Sequence, residues 1–551
     1  MGDSYRHAPR RRWARVAATF AVVAVLTTAF AAVGGASTPD RVRHQSSPKG
    51  DLTFGLEAET TNYCLSRAQL AISGIQVVAA VYDTLTVPNA KGVAVPYLAK
   101  SVEPNADFTE WTIGLRDGIT FHNGEPLDAA AVKLNLDAAR GAPGAPNSGP
   151  LLTIVFGFIS DVTVVDPATV TVTLNKPVVD FPNYLFQVGR IGIMAPEQIN
   201  AGEECATKMI GTGPFKLTEY AQNEKTVVEA NPDYWQKGYP KAKSITFVPV
   251  PEAAVRVNQL QGGQSDLIHT SSAVQIDALR QLGESQVKLL EQKPGVREIR
   301  YYVLLSDSAP FDNPDARTAF AQALDRDEIN SIINKGLFDR ANGLMDVDVL
   351  GYLKDAGYPK YNEKKAATLA AKVKADTGSF NVILGTTTDP ENSREAQLMK
   401  EQLGKAGIDA EIAEFDQATL INKALSGDID VLLWRNLHGG YTNSTDSDNY
   451  PWWANADTGN LINFSKFNNP DTQALLEKGR GESAESDIKS TYEDFNKAMA
   501  ENVYIVPAWY VDWTIGYAAD VKLTLPKLPD GAGKPLFVYG RIPVLGISTS
   551  G

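Results

Sequence analysis

The chain has 551 residues, 43% hydrophobic and 21% charged, which is too apolar a composition for a disordered chain and enough to bury several cores. Its only two cysteines, Cys64 and Cys205, exclude zinc sites built from CxxC pairs, iron–sulfur clusters and a dense disulfide scaffold. A net charge of -13 argues against nucleic-acid binding, which needs a basic surface. With five histidines in the chain, we expect neither a metal site nor a cofactor.

The first 36 residues have the order of a targeting segment. Five arginines precede an uncharged run at residues 16–33, and small residues follow at 34–36. A basic start, an apolar run and a small-residue exit are typical of a secretory signal peptide. The run also reaches the lower edge of the roughly 17 to 25 residues that a membrane-spanning helix needs, so an uncleaved anchor is the alternative. We predict an exported protein, with a linker at residues 37–50.

Export changes the interpretation of the two cysteines. An oxidising compartment allows Cys64 and Cys205 to form a disulfide. Closing a loop of about 140 residues would contribute on the order of 5 kcal/mol in the chain-entropy model. The alternative is two separate buried thiols. We predict the disulfide.

The first half of the chain is rich in predicted strands. Alternating apolar residues predict a strand at 52–56 and a hairpin turning at 117–118, with strands at 111–115 and 119–121 on its two sides. Asp128 stands where a helix N-cap belongs, because apolar residues at helical spacing follow it.

From about residue 310 the pattern changes to alternating helices and strands. Asn313 followed by Pro314 predicts a helix start. The segments after it are predicted as strands at 380–384, 408–415 and 429–434, helices at 391–406 and 417–425, and a final helix and strand at 487–500 and 503–513. Right-handed crossovers make such a βαβαβ sheet parallel, and ligands of parallel sheets lie beyond the carboxyl ends of the strands.

That rule selects the segment after Trp434, which we predict to be a loop that binds a solute. Aromatic walls and a few orienting polar groups are what a small-solute site requires. The predicted ligand-binding residues are Trp434, Arg435, His438, Tyr441, Asn443, Asp446 and Trp452 in this segment, and Trp509 and Tyr510 in the last strand. The alternatives are that the tryptophans cover a hydrophobic cluster and the acids are solvated, or that Asp446 and Asp448 bind calcium without the glycine and glutamate of an EF-hand.

Five segments carry a family resemblance. They are LRDGITFHNGEPLDAAAVKLNLDAAR at 115–140, GTGPFKLTEY at 211–220, NPDYW at 231–235, FDNPDARTAFAQALDRDEI at 311–329 and the proline-aromatic strand at 506–510. In order and spacing they resemble the peptide and nickel class, family 5, of ABC-transporter solute-binding proteins. The resemblance covers nearly all of residues 51–545.

The resemblance implies an α/β fold, the two-lobe clamshell of class II periplasmic binding proteins, with an extra domain inserted in lobe one. The hinge would be two crossings near residues 300 and 505. The implied segments are lobe one at 51–84 and 191–300, the inserted subdomain at 85–190, lobe two at 301–505, and the lobe-one return with the C-terminal tail at 506–551.

The resemblance also implies a function. The chain would be an extracytoplasmic receptor of an ABC importer that closes around a peptide or peptide-like solute, without catalytic residues. Its partners would be the solute, the permease and the ATPase subunits, and it would be a monomer. Many exported relatives are lipoproteins attached through a cysteine after the signal segment, but Ala36 stands there, so lipid attachment is not supported. We expect the protein on the periplasmic or extracellular side of the membrane.

One position departs from the family pattern. In peptide-binding members, a carboxylate in a motif similar to ADYPDPDNF takes the free amine of the peptide, and aligning DPDNF with residues 446–450 puts Asn443 at that carboxylate. A neutral amide supplies no compensating charge, which makes a sugar, a modified peptide, haem or a metal chelate alternative solutes, unless Asp446 substitutes. His438 or His122 would be the metal ligand. An exported glycoside hydrolase using Asp446 and Asp448 is the enzymatic alternative.

Overall fold

The computed structural model describes residues 50–60, 62–436, 440, 445–460, 462–538 and 540–549. The predicted signal or anchor segment lies outside these residues, and so does the linker apart from Gly50. Among the predicted site residues, His438, Tyr441 and Asn443 also lie outside them. Within the described ranges, none of the helices has the length and apolar character that crossing a bilayer requires.

The described residues form strands and helices throughout. In chain order the strands are β1 (Asp51–Leu56), β2 (Thr86–Pro88), β3 (Ala94–Pro96), β4 (Ala99–Pro104), β5 (Glu110–Leu115), β6 (Ile159–Asp166), β7 (Thr169–Leu174), β8 (Phe215–Ala221), β9 (Lys225–Ala230), β10 (Ser244–Pro249), β11 (Leu267–Thr270), β12 (Val287–Glu291), β13 (Glu298–Leu304), β14 (Asn381–Thr387), β15 (Asp409–Phe415), β16 (Val431–Asn436), β17 (Ile505–Val511), β18 (Thr514–Ala518), β19 (Val521–Leu523) and β20 (Ile547–Thr549). The α-helices are α1 (Ile72–Val81), α2 (Ala129–Arg140), α3 (Pro150–Phe156), α4 (Phe181–Tyr184), α5 (Pro196–Ile199), α6 (Ala253–Gln261), α7 (Ala273–Leu282), α8 (Pro314–Ala323), α9 (Arg326–Asn334), α10 (Glu363–Thr377), α11 (Pro390–Lys405), α12 (Gln417–Ser426), α13 (Asp446–Trp453), α14 (Pro470–Arg480) and α15 (Glu485–Asn502).

Lobe one is built on a seven-stranded sheet with the order β12-β18-β11-β1-β10-β9-β8. The alternating apolar residues of β1, Leu52, Phe54 and Leu56, are buried, as their period of two predicts. Strand β1 runs parallel to β10 and β11 on its two sides. A disulfide joins Cys64 to Cys205, 141 residues apart in the chain, which confirms the predicted pairing.

The insertion, defined here as the chain from β2 to α4, carries an antiparallel sheet of order β4-β5-β7-β6. The predicted hairpin at residues 117–118 is wrong in its partner, since Thr112 of β5 pairs with Glu103 of β4 and Thr171 of β7. Strands β4 and β7 pair with β5 along most of its length, which the short segment at residues 119–121 could not do. The predicted helix is confirmed, because the Asp128 side chain accepts a hydrogen bond from the Ala131 N–H at 2.9 Å and caps α2.

Lobe two is built on a five-stranded sheet with the order β15-β14-β16-β13-β17. The predicted βαβαβ run is confirmed: β14 is parallel to both β15 and β16, and α11 and α12 make the crossovers. Side chains of Asp389 and Asp416 accept N–H hydrogen bonds in the first turns of these helices. Strands β13 and β17 complete the sheet in antiparallel orientation.

The chain crosses between the two lobes twice. It leaves the seven-stranded sheet after β12 and enters the five-stranded sheet at β13, and it returns between β17 and β18 through Asp512 and Trp513. The predicted return to lobe one at residue 506 therefore falls inside β17, which still pairs with β13. Both strands are buried along their whole length, so β17 belongs to the interior of lobe two.

Candidate functional site

The carboxyl ends of parallel strands from both lobes meet in one place. Strands β1 and β11 of lobe one are parallel neighbours, as are β14 and β16 of lobe two, and the residues at or just after their ends contact each other across the lobes. Strand β13 starts beside the end of β16. We call this group the interlobe cluster; its members are Glu57, Ser271, Ser272, Glu298, Glu391 and Arg435.

Arg435, the next-to-last residue of β16, is the centre of the cluster. Its Nη2 donates to Glu57 Oε1 at 2.5 Å, and its Nη1 donates to the Ser271 hydroxyl. The guanidinium also lies 4.8 Å from the centre of the Trp513 ring, in the second crossing between the lobes. A cation of lobe two thus contacts a carboxylate and a hydroxyl of lobe one and an aromatic side chain of the hinge.

A second contact across the lobes lies beside the first. The Ser272 hydroxyl, which caps α7, donates to the Glu391 carboxylate in the first turn of α11. A helix N-terminus stabilises a carboxylate in its first turn. Burial nevertheless raises the pKa of Glu391 above its usual value.

The carboxylates of the cluster differ in the direction of their pKa shifts. Burial raises the pKa of Glu298, although Arg435 lies 3.9 Å away and Trp513 Nε1 donates to the same carboxylate at 2.6 Å. For Glu57, burial also favours the neutral form, but the charges of Arg435, His269 and Arg256 and the hydrogen bond from Arg435 together outweigh it, so the pKa is lowered. The charge of Arg435 acts on all three carboxylates, and the buried Arg256 acts on Glu57 and Glu391 as well. The cluster therefore offers both a guanidinium and carboxylates to a solute that carries an anionic and a cationic group.

A model of the family described as bacterial extracellular solute-binding proteins, family 5, middle, matches residues 93–461. The chain belongs to this family. The predicted resemblance is thereby confirmed, and the family is one of extracellular binding proteins. Glutathione-binding protein GsiB of Pectobacterium atrosepticum is 27% identical over 319 residues, 58% of this chain and 60% of that protein. The chain thus matches about 60% of the length of this curated relative.

Solved structures of similar fold come from binding proteins with bound solutes. The periplasmic binding protein AgaA of A. tumefaciens R10, in complex with agropinic acid, is 25% identical with a TM-score of 0.79, covering 91% of this chain and 99% of that one. The protein DppA of Helicobacter pylori, in complex with the peptide STSA, is 20% identical with a TM-score of 0.79, covering 91% and 98%. The predicted class II clamshell of the α/β type is confirmed.

In this family-5 protein the described site residues that the sequence predicted lie in four different places. Arg435 lies in the interlobe cluster. Trp434 and Trp452 pack edge-on against Phe464, at 5.5 and 5.9 Å between ring centres, so both belong to one aromatic cluster of lobe two.

Strand β17 places its aromatic residues away from the interlobe cluster. Trp509 and Tyr510 are 3% and 4% exposed in β17. The Tyr510 hydroxyl donates to the Met345 carbonyl at 3.0 Å, and the Arg297 guanidinium lies over its ring. Both side chains pack inside lobe two in this arrangement of the lobes.

The segment after Trp434, which was predicted to be a loop, contains helix α13. The first residue of this helix, Asp446, is bonded to other side chains of the protein. Asp446 is buried, 3.2 Å from Arg480 Nε, and accepts a hydrogen bond from the Tyr184 hydroxyl at 2.9 Å. Burial raises its pKa against the lowering effect of Arg480. Asp446 is therefore committed to contacts within the protein. No group of three or more His, Cys, Asp or Glu residues in the described ranges could hold a metal ion.

Sequence reasoning missed most of the interlobe cluster. Glu57 follows β1 directly, and Ser271 and Ser272 follow β11. The rule that selected Trp434 and Arg435, namely that ligands lie beyond the carboxyl ends of parallel strands, would have found them had it been applied to lobe one.

Proposed function

We propose that this protein is the solute-binding receptor of an ABC importer and that it encloses a peptide-like solute between its two lobes. The observation that carries the proposal is the contact of Arg435 in lobe two with Glu57 and Ser271 in lobe one. A solute stabilises the closed form only if it touches both lobes, and the interlobe cluster presents polar side chains from both lobes at the carboxyl ends of their parallel strands.

The chemistry of the cluster favours a zwitterionic solute. A solute carboxylate can take the place of Glu57 on the Arg435 guanidinium, whose planar N–H groups bind carboxylates in pairs. Glu57 then accepts a solute ammonium group, and Glu391 lies on the lobe-two side to complete the charge balance. Glutathione and a peptide, the solutes named for the relatives, fit this class.

The hinge connects the solute site to lobe closure. Trp513 lies in the second crossing, where its ring faces Arg435 and its Nε1 donates to Glu298 at 2.6 Å. Any change in the distance between the lobes changes the surroundings of this indole. The closed form would then be recognised by the permease, which works with its ATPase subunits, and the receptor would act as a monomer.

The same receptor role for a sugar, haem or a metal chelate is the second candidate. It is favoured by the neutral Asn443 at the position that carries the amine-binding carboxylate in the family motif. The exported glycoside hydrolase is less well supported, because its proposed catalytic residue Asp446 is engaged by Arg480 and Tyr184.

The proposal is tested by titrating purified protein, freed of bound solute by unfolding and refolding, with dipeptides, tripeptides, glutathione, N-acetylated peptides and sugars. Calorimetry and tryptophan fluorescence give the affinity. We expect saturable binding of at least one zwitterionic peptide-like solute, weakened at least tenfold by Arg435→Gln.

The matched control is Arg280→Gln, which removes the same charge from an exposed arginine paired with Glu291. Its affinity should equal that of the wild type. Absence of saturable binding for every solute, or equal binding by the Arg435 and Arg280 variants, would refute the proposal.

A further inference from the structure

Arg256 is a buried cation of lobe one, on helix α6, and only 2% of it is exposed. Its Nε donates to the His269 carbonyl at 3.0 Å, and its Nη1 donates to the carbonyls of Val250 and Pro251 at 2.6 and 2.8 Å. Carbonyl oxygens satisfy these N–H groups but carry no net charge. A full positive charge therefore remains in the interior of the lobe.

The acceptors of Arg256 lie on both sides of strand β1. In the sheet, β1 lies between β11, which contains His269, and β10, which Val250 follows. The Val250 N–H donates to the carbonyl of Leu56, the last residue of β1, at 2.7 Å. A Cβ at Gly55 would lie 3.9 Å from Arg256 Cγ, so the arginine side chain runs beside β1 itself. Arg256 thus connects the carboxyl ends of three neighbouring strands.

His269 connects this support to Glu57, the first residue after β1. Its Nε2 accepts a hydrogen bond from the Glu57 N–H at 2.9 Å, and its ring centre lies 5.1 Å from that of Trp513 in the hinge. Burial lowers the pKa of His269 to about 3, although Glu57 acts to raise it. At neutral pH the ring is therefore uncharged and Nε2 keeps the lone pair that accepts the hydrogen bond. His269 fixes the main chain at Glu57 and adds no charge at that pH.

Each lobe contributes an arginine whose charge acts on the Glu57 carboxylate. Burial raises the pKa of Glu57, and the effects of Arg435, His269 and Arg256 lower it below its usual value. The coupling is reciprocal, because burial lowers the pKa of Arg256 and Glu57 acts to raise it. Glu298 of β13 is the neighbouring carboxylate whose interaction with Glu57 is unfavourable. Arg256 belongs to the same lobe as Glu57, so it stays beside Glu57 when the lobes separate.

We propose that Arg256 is a positioning residue of the solute site, which holds the end of β1 in place and keeps Glu57 an ionised carboxylate when Arg435 moves away with lobe two. The inference rests on the proposed function, in which Glu57 accepts the ammonium group of the solute. An ionised carboxylate binds an ammonium group more strongly than a neutral carboxyl does. Lobe one of the open receptor therefore makes the first ionic contact with the solute.

The first test uses the full chain with Arg435→Gln, which removes the cation of lobe two. Urea unfolding of Arg435→Gln and of Arg435→Gln/Glu57→Gln between pH 4 and pH 7 gives the contribution of Glu57 to the free energy of unfolding. A carboxyl whose folded-state pKa lies above the ordinary 4.5 loses stabilising effect as the pH rises through that pKa, and one at or below 4.5 does not. We expect no loss between pH 5 and pH 7. A contribution that falls with rising pH would overturn the proposal.

The second test adds Arg256→Met to both proteins, which removes the cation of lobe one and keeps an unbranched side chain. The contribution of Glu57 should now fall as the pH rises from 4.5 towards 7, because neither arginine opposes the effect of burial. Arg256→Lys keeps the charge with fewer N–H donors, and it should restore the original pH profile even if the protein is less stable. Equal profiles with arginine and methionine at position 256, or a lysine variant that behaves like the methionine variant, would refute the role of the charge.

The matched control is Arg317→Met in lobe two. Arg317 is 6% exposed and, like Arg256, donates through Nε to one carbonyl and through Nη1 to two consecutive carbonyls. Its removal should lower the free energy of unfolding in a similar way but leave the pH profile of Glu57 unchanged. If Arg317→Met shifted that profile, the effect would come from lost stability and the proposal would fail. None of these measurements contains a solute, so their outcome is distinguishable from that of the titrations that test the proposed function. The first test also needs no variant of Arg256, so it decides even if Arg256→Met does not fold.

Discussion

The interlobe cluster and the Asp446–Arg480 pair both hold a guanidinium beside an aromatic ring, but they differ in where the partners of the guanidinium come from. Arg435 of lobe two pairs with Glu57 of lobe one, whereas Asp446 and Arg480 both belong to lobe two, in α13 and α14. The insertion contributes the Tyr184 hydroxyl, which bonds to both members of the second pair, and the Phe158 ring, which lies against Arg480. We expect the first pair to separate when the lobes open and the second to stay together.

The two ion pairs also differ in burial, and the pair between the lobes is the more exposed one. The side chains of Arg435 and Glu57 are 30% and 20% exposed, and those of Arg480 and Asp446 are 3% each. A partly hydrated pair can be broken at little cost, while a dry pair that loses one member leaves an uncompensated charge. We therefore expect the Arg435–Glu57 pair to act on the conformation of the lobes and the Asp446–Arg480 pair to act on stability.

Among the variants considered, removing Arg480 should cause the largest change in the free energy of unfolding. Arg480→Met leaves Asp446 buried without its cation, and we expect the free energy of unfolding to fall by about 3 to 5 kcal/mol. Urea unfolding followed by circular dichroism measures the loss.

The double variant Arg480→Met/Asp446→Asn is the matched control, because it removes both charges and retains a polar side chain for Tyr184. It should recover most of the lost stability. A loss below 1 kcal/mol in the single variant would contradict the structural role of the pair.

Local patterns of this chain were sufficient to predict the βαβαβ run. The apolar periods of α11 and α12 lie within the helices that they define, and the structure adds the N-caps Asp389 and Asp416, which the sequence analysis did not name. Helix α13 was missed because its polar residues show no apolar period and Pro451 lies inside it. That helix depends on distant partners, since Tyr184 is 262 residues from Asp446.

The candidate site was predicted from lobe two alone, although the strand-end rule also selects the lobe-one residues that follow β1 and β11. The rule for strand ends selected Arg435, whose partners Glu57 and Ser271 lie 378 and 164 residues away in the chain. No pattern within lobe two indicates which lobe-one residues close onto it. The pairing depends on how the lobes pack, which local propensity does not encode.

Asp512 is a carboxylate in the hinge, and removing its charge should stabilise the protein. Burial raises the pKa of Asp512 to about 6, with Asp339 and Asp346 adding to the shift and Arg297, 3.9 Å away, opposing it. A carboxyl whose pKa is higher in the folded state stabilises the protein below its unfolded pKa of 3.8. That stability is lost as the pH rises through about 6.

Asp512→Asn removes this pH dependence. Relative to the wild type, its free energy of unfolding should increase by about 2 kcal/mol between pH 4 and pH 7. Urea unfolding of both proteins over this pH range gives the difference. A difference that does not change with pH would show that Asp512 titrates alike in the folded and unfolded states.

The smallest expected effect belongs to Arg435, and it concerns conformation. Arg435→Gln removes the ion pair with Glu57 and the contact with the Trp513 ring, which together contribute roughly 1.4 kcal/mol to the closed form. The ratio of open to closed molecules without solute should therefore rise about tenfold. Small-angle X-ray scattering would detect this as a larger radius of gyration.

Arg480→Met provides the contrast that makes this result specific. Below its unfolding transition it should leave the radius of gyration unchanged, because its ion pair does not cross between the lobes. Arg435→Gln should do the reverse, changing the radius while lowering the free energy of unfolding by less than about 1 kcal/mol. If both variants changed the radius alike, the contact between lobes would depend on the insertion as well, since Tyr184 links it to the buried pair.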